Sequence, residues 1–208
     1  MQIALSVLAV FVLLCVSELG WQREWLKGEF GRKFVHITVG SFVAFWPFFM
    51  TWNEIRWLSL AFLVVVIISD RLKIFKAIHS VQRPTFGEIC FALIVGILTF
   101  ITHSKGIYAT ALLQMSLADG FAAIYGTWFG KRNTYHVFGH TKSVVGTLTF
   151  MAVSLILLLG YDAFSTHGLS GERIAFGAFG AAALENVAPF GLDNLMVPLF
   201  ICLLLVYR

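Results

Sequence analysis

Apolar residues gather along this chain into long blocks, and these blocks, more than any alternation of apolar and polar positions, set the expected elements. Met1–Leu19, Phe34–Met50, Trp52–Ser69, Gly87–Thr102, Ile107–Phe129, Val144–Tyr161, Arg173–Ala188 and Leu195–Tyr207 each read as a membrane helix. A helix needs about twenty mostly apolar residues to cross a hydrocarbon core of roughly 30 Å. The pattern therefore predicts an all-α polytopic membrane protein of about eight spans, or about seven if the short last block does not cross. Met1–Leu19 lacks the basic start and the small-x-small cleavage site of a signal peptide, so it is expected to stay as a membrane helix. Asp70–Thr85 is too charged to span. Leu72, Phe75, Ile78 and Val81 recur there at steps of three among basic residues, which predicts an amphipathic helix lying in the cytoplasmic interface. No internal repeat or linker divides the chain, and residues 1–208 read as a single integral membrane catalytic domain.

Composition removes the soluble alternative. Of 208 residues, 59% are hydrophobic and 12% charged, more apolar surface than a soluble domain of this size can hide. The net charge of +4 is read by position. Arg23, Lys27, Arg32 and Lys33, then Arg71, Lys73, Lys76 and Arg83, then Lys131, Arg132 and Lys142 lie in alternate connections. By the positive-inside rule these face the cytoplasm and the N-terminus lies outside. The charge thus reports orientation in a bilayer, and no nucleic-acid partner is expected. Cys15, Cys90 and Cys202 all sit in apolar blocks, away from any metal-ligand spacing.

Against this background the buried polar residues stand out. Asp119 lies inside the fifth block, where an ionisable group costs on the order of 3 kcal/mol or more and is functional by default. At helical spacing Ser116, Asp119, Ala123, Gly126 and Gly130 share one small, polar stripe. Two readings fit it: close helix packing with Asp119 bonded to a neighbour, or a groove where a ligand meets the backbone and the carboxylate holds a metal ion. Arg32, Lys33 and His36 at the inner end of the second block, Glu88 opening the fourth, Glu185 ending the seventh and Asp193-Asn194 in the next turn all fall at the same leaflet. A transporter would place such groups near the midplane. This distribution is that of an enzyme whose site faces the cytoplasm.

The mixture of types narrows the chemistry. Carboxylates suit Mg²⁺ bridged to phosphate, whereas cations and helix starts suit phosphate itself. Gly139-His140-Thr141-Lys142-Ser143-Val144-Val145-Gly146-Thr147 offers glycines, a lysine and two hydroxyls, without Walker A spacing. An N-cap by Thr141 or Ser143 beside a snorkelling Lys142 is the alternative. Phosphoryl transfer needs a metal, phosphate-binding cations and a positioned hydroxyl, and little covalent chemistry from the protein.

The series Arg32-Lys33-x-x-His36-x-x-x-Gly40, Leu117-Ala118-Asp119-Gly120-x-Ala122 with Gly126 and Gly130-Lys131, Lys142-Ser143-x-x-Gly146-Thr147, then Glu185 and Asp193-Asn194-x-x-Val197-Pro198 resembles the motifs of the dolichol kinase, phytol kinase and CTP-dependent diacylglycerol kinase family, relatives of the phosphatidate cytidylyltransferases. Arg83-x-x-x-Gly87-Glu88 resembles the phytol-kinase branch. The resemblance implies a kinase that uses CTP and a divalent cation, Mg²⁺, to phosphorylate a membrane lipid alcohol. The acceptor would be a polyprenol, dolichol or phytol-like isoprenoid, or diacylglycerol. It makes Asp119 the first expected metal ligand and Asp193 or Glu185 a second ligand or base. His36 is expected to be a base or phosphate-orienting group. Arg32, Lys33, Gly126, Gly130, Lys131, Lys142, Ser143, Gly146 and Thr147 are expected around the nucleotide phosphates, with Glu88 and Asn194 in support. Some relatives carry an acidic residue where this chain has Val145, so that role would be absent or fall to Glu88 or Glu185. The rivals are a cytidylyltransferase making a CDP-lipid and a non-enzymatic lipid or solute carrier. Oligomeric state is not legible.

Overall fold

The computed structural model describes residues 1–26, 28–72, 86–138, 140–166 and 168–207, and each predicted block holds a helix, although the second one stops at Ala44, short of the expected Met50, where Trp46–Phe48 with Pro47 forms a 3-10 turn. The helices are α1 (Gln2–Gln22), α2 (Gly28–Ala44), α3 (Trp52–Leu72), α4 (Gly87–Ile101), α5 (Lys105–Leu113), α6 (Asp119–Phe129), α7 (Val144–Phe164), α8 (Gly171–Val187) and α9 (Asp193–Val206). Among the described residues α1, most of α3, the joined α5–α6 run and α7 are long and apolar enough to cross a membrane, and α4 and α9 are shorter apolar helices. The fold is that of an integral membrane protein. The interfacial helix expected over 70–85 falls mostly outside the described residues, and Arg71 and Leu72 close α3.

Serines set several boundaries. Ser104, Ser143 and Ser170 each have extended backbone and accept, respectively, the N–H of Ile107, Gly146 and Arg173, covering an N–H that the helix start would leave bare. The α5–α6 run is the central element: 72% of its apolar window is buried, against 17%, 11% and 22% for the other three long helices. Helices α2, α7 and α9 pack around it, α4 packs against α9 and α3 covers α4. Because the surrounding helices keep large apolar faces outward, with Val64, Val65, Ile68, Ile156 and Phe176 exposed, the bundle is inverted relative to a water-soluble one, as a bilayer requires.

Two local features depart from the sequence reading. The central run is not one regular helix. Gln114–Ala118 forms a π turn between α5 and α6, which inserts extra backbone and breaks the 100° step. The stripe from Ser116 to Gly130 is therefore not straight, and protein fills both ends of it. Ser116 packs against α2, where a Cβ added to Gly40 would lie 2.6 Å from Ser116 Cβ. At the other end a Cβ on Gly126 would lie 2.9 Å from Ser143 Oγ and 3.3 Å from Gly146 Cα at the start of α7. Close packing explains these glycines. Gly40→Ala should accordingly lower thermal stability in detergent by about 1–3 kcal/mol, and adding Ser116→Gly should restore it.

The second departure is an antiparallel hairpin, β1 (Thr134–Val137) and β2 (His140–Ser143), with Tyr135 opposite Lys142 and Thr134 opposite Ser143. Of the two N-cap candidates, Thr141 and Ser143, the structure uses Ser143. Helix α7 begins at Val144 with Ser143 as its cap, and Thr141 lies in a strand. Phe138, with φ of 45°, carries the left-handed backbone that a two-residue connection between twisted strands demands.

Candidate active site

The π turn delivers Asp119 to the first residue of α6, facing α2. The Lys33 ammonium donates to Asp119 Oδ2 in a direct ion pair, and both residues are buried, at 5% and 6% exposure. His36, one turn along α2, places Nε2 3.0 Å from the Met115 carbonyl and 3.4 Å from Asp119 Oδ2. Both neighbours are acceptors, so the ring proton sits on Nε2. In the neutral ring Nδ1 then keeps its lone pair. The Met115 carbonyl belongs to the π turn, so the irregular backbone supplies the acceptor that fixes the imidazole. Arg32 adds positive charge at both His36 and Asp119.

A second ion pair, half-buried at its lysine, lies across from the first. Lys142, on β2, reaches 3.0 Å to the Glu185 carbonyl and 2.5 Å to Glu185 Oε1. Burial alone would pull the Lys142 ammonium down, but the Glu185 carboxylate beside it, together with Asp119 and Asp193, outweighs that and holds it above the ordinary lysine value. Lys142 is therefore charged at neutral pH, with two of its three N–H donors on Glu185 and one remaining.

The third carboxylate comes from the α8–α9 turn, which is clamped on two sides. The Phe86 N–H donates to the Phe190 carbonyl at 2.8 Å, and the Asn194 side-chain amide donates to the Gly87 carbonyl at 3.0 Å. The His140 ring meets Phe190 edge-on at a centroid distance of 5.5 Å. Phe190 is held at φ 56° and Gly191 at φ 87°, a tight reversal stabilised by its neighbours. It sets Asp193 so that one oxygen each of Asp119, Glu185 and Asp193 lies within 4.8 Å of the others. Lysines directly neutralise Asp119 and Glu185, while Asp193 makes no ion pair among the described residues.

These contacts sort the expected residues. Lys33, His36, Asp119, Lys142, Glu185 and Asp193 converge, with Arg32 alongside. Asn194 does not orient Asp193 or Glu185 through its side chain; that amide braces α9 to α4, and only its backbone N–H meets Asp193 Oδ1, at 3.1 Å. Ser143, Gly146, Gly126 and Gly130 form the packed seam between α6 and α7. Thr147 joins a separate polar cluster, within 2.5 Å of Tyr135 Oη and 3.2 Å of Asn186 Oδ1, and Tyr135 also reaches Asn186 Oδ1 at 2.6 Å. This cluster fixes the hairpin to α7 and α8 and thereby aims Lys142. Tyr135 and Asn186 escaped the sequence reading, although Asn186, a polar residue in an apolar block beside Glu185, was a visible signal. Lys131 is exposed beyond the end of α6, and Glu88 is half-buried in the first turn of α4.

Three carboxylate oxygens in this spacing fit a hard divalent cation such as Mg²⁺ after small side-chain adjustment, and no sulfur competes in the donor set. No family model matches the chain, and no solved structure does. A phytol kinase of Synechocystis sp. is 31% identical over 207 residues, an alignment covering 95% of this chain and 88% of that protein. The membrane bundle with its buried acid–lysine cluster defines a polytopic membrane enzyme, and the comparison makes it a kinase of the lipid-alcohol class. The chain belongs to the phytol kinase family.

Proposed function

We propose that this enzyme transfers the terminal phosphoryl group of CTP to the hydroxyl of a membrane isoprenoid alcohol, phytol or a polyprenol first and diacylglycerol second, at a site open to the cytoplasm. The observation that carries this reading is the meeting of Asp119, Glu185 and Asp193 within 4.8 Å, flanked by the buried Lys33 and the half-buried Lys142. The preference for CTP rests on the resemblance of the four motifs, and the isoprenoid acceptor rests on the family. The N-terminus outside follows the positive-inside pattern.

Asp119, Glu185 and Asp193 would hold Mg²⁺, which when bound neutralises charge on the β- and γ-phosphate oxygens. Lys142 offers its remaining N–H to a phosphate oxygen, and Lys33 and Arg32 approach from the α2 side. Together they supply the positive field that a departing diphosphate needs. The lipid hydroxyl is oriented for in-line attack and gives up its proton to His36 Nδ1, the ring nitrogen that neither Met115 nor Asp119 occupies. The apolar outer faces of α2 and α6 keep the isoprenoid tail in hydrocarbon while its head reaches the carboxylates.

His36→Gln should lower kcat by about 10²–10⁴-fold with little change in nucleotide KM, measured as phosphorylated lipid formed per enzyme. An equal loss in kcat/KM for nucleotide through KM alone would reassign His36 to binding. The overall reading is tested with purified protein, γ-labelled CTP or ATP, and phytol, a polyprenol or diacylglycerol in mixed micelles. Label entering the lipid, with CTP preferred, supports it. Labelled pyrophosphate identifies a cytidylyltransferase instead, and turnover without label in lipid overturns the kinase reading.

A further inference from the structure

At the opposite end of α4 from the carboxylates, α3 and α4 enclose a groove of about 620 Å³ lined by Asn53, Arg56, Trp57, Leu60, Gly96 and Phe100. Its walls are mostly apolar and face the bilayer, yet it holds an arginine. Arg56 Nε donates to Thr99 Oγ1 at 3.0 Å, one terminal nitrogen to Asn53 Oδ1 at 3.0 Å and the other to the Thr99 carbonyl at 2.9 Å. The guanidinium lies 4.2 Å from the centre of the Phe100 ring. Three of its five N–H donors are thus used, all on neutral acceptors, and two remain. Its near neighbour Glu54 is turned away onto Thr51, at 2.8 Å from both the backbone nitrogen and the hydroxyl. No carboxylate among the described residues pairs with Arg56.

A positive charge set into an apolar groove without a counter-charge calls for an anion that carries its own hydrocarbon. We infer that this groove binds an anionic phospholipid of the bilayer, its phosphate on the two spare N–H donors of Arg56 and an acyl chain along Leu60, Gly96 and Ile97. A groove of this size seats a lipid chain rather than a lone ion or a few waters. The site is distinct from the catalytic cluster. Gly87, tied to Asn194, marks the catalytic end of α4, and Thr99 lies twelve residues further along, about 18 Å at the rise of an α-helix.

The test is thermal unfolding of delipidated protein in neutral detergent, titrated with phosphatidylglycerol, phosphatidylcholine or phytol. Wild type should be stabilised saturably by phosphatidylglycerol, and phosphatidylcholine should need about tenfold more for the same shift. Arg56→Gln should remove that preference. Leu60→Trp, which fills the groove and leaves the Thr99 bonds to Arg56 in place, should remove it too, so the result stands even if the first variant folds poorly. Equal shifts with both phospholipids, an unchanged preference in Leu60→Trp, or displacement of phosphatidylglycerol by phytol would overturn the inference. Asp119→Asn should keep the preference, which separates this result from that of the catalytic reading.

Discussion

Asp119→Asn should abolish lipid phosphorylation, with a fall of at least about 10³-fold in turnover, and should also destabilise the protein. The two effects have separate causes. The carboxylate is one of three expected to hold the divalent cation, and an amide removes its charge while nearly preserving its shape. It is also the partner of Lys33, which is 5% exposed, so the substitution leaves an ammonium buried without its counter-charge at a cost of about 3–5 kcal/mol. The second cause can be removed alone. In Asp119→Asn with Lys33→Met neither charge remains, so stability should return toward wild type while activity stays lost. Thermal unfolding beside an activity assay on the wild type, both single variants and the double variant completes the cycle. Recovery of activity together with stability would make Asp119 a structural residue.

Lys142→Met should raise the nucleotide KM and lower kcat, together costing about 10²–10³-fold in kcat/KM. Lys142→Arg should recover only part of this, because a planar guanidinium does not place its donors where the compact ammonium places them between Glu185 and the phosphate. The pH dependence follows from the direction of the shift. Glu185 holds the Lys142 pKa above the ordinary lysine value. While Glu185 is ionised, the stabilisation from this pair is therefore fully present below the unfolded lysine pKa and is lost on the alkaline side only as pH rises through the higher folded one. Nucleotide KM should thus show no loss of the Lys142 charge up to about pH 9. A rise in KM centred well below that, present in wild type and absent in Lys142→Arg, would contradict the assignment.

Much of the bundle was legible because a membrane helix is written locally, as a block of apolar residues. The limits of α4 and α7 depart little from their blocks. The second block was placed six residues late, since Gly28-Glu29-Phe30-Gly31-Arg32-Lys33 reads as a polar connection. Helix α2 extends through it because Lys33 is buried against Asp119, 86 residues away, a partner no local pattern names. The π turn has no sequence signature, and without it the small-residue stripe reads as one straight face. The hairpin was missed because Thr134–Ser143 mixes strand-forming residues with polar ones over too short a run to separate strand from loop. The site fared better. Lys33, His36, Asp119, Lys142, Glu185 and Asp193 are costly groups in an apolar chain, so each was visible as an anomaly, and their shared leaflet predicted their meeting. Gly126, Gly130 and Asn194 were visible too, but a small residue or an amide beside a site can serve packing as readily as chemistry, and only the folded arrangement tells the two apart.

Asp119, Glu185 and Asp193 are expected to hold one divalent cation together. Mn²⁺ binding in detergent, followed by loss of the free-ion electron paramagnetic resonance signal with a CTP analogue that cannot transfer its phosphate, tests it most directly. Asp193 is the variant to compare, because it makes no ion pair among the described residues and Asp193→Asn strands no buried cation. Wild type should bind one tight Mn²⁺ per chain, and Asp193→Asn should bind it at least about tenfold more weakly. Identical titrations for the two proteins would contradict it.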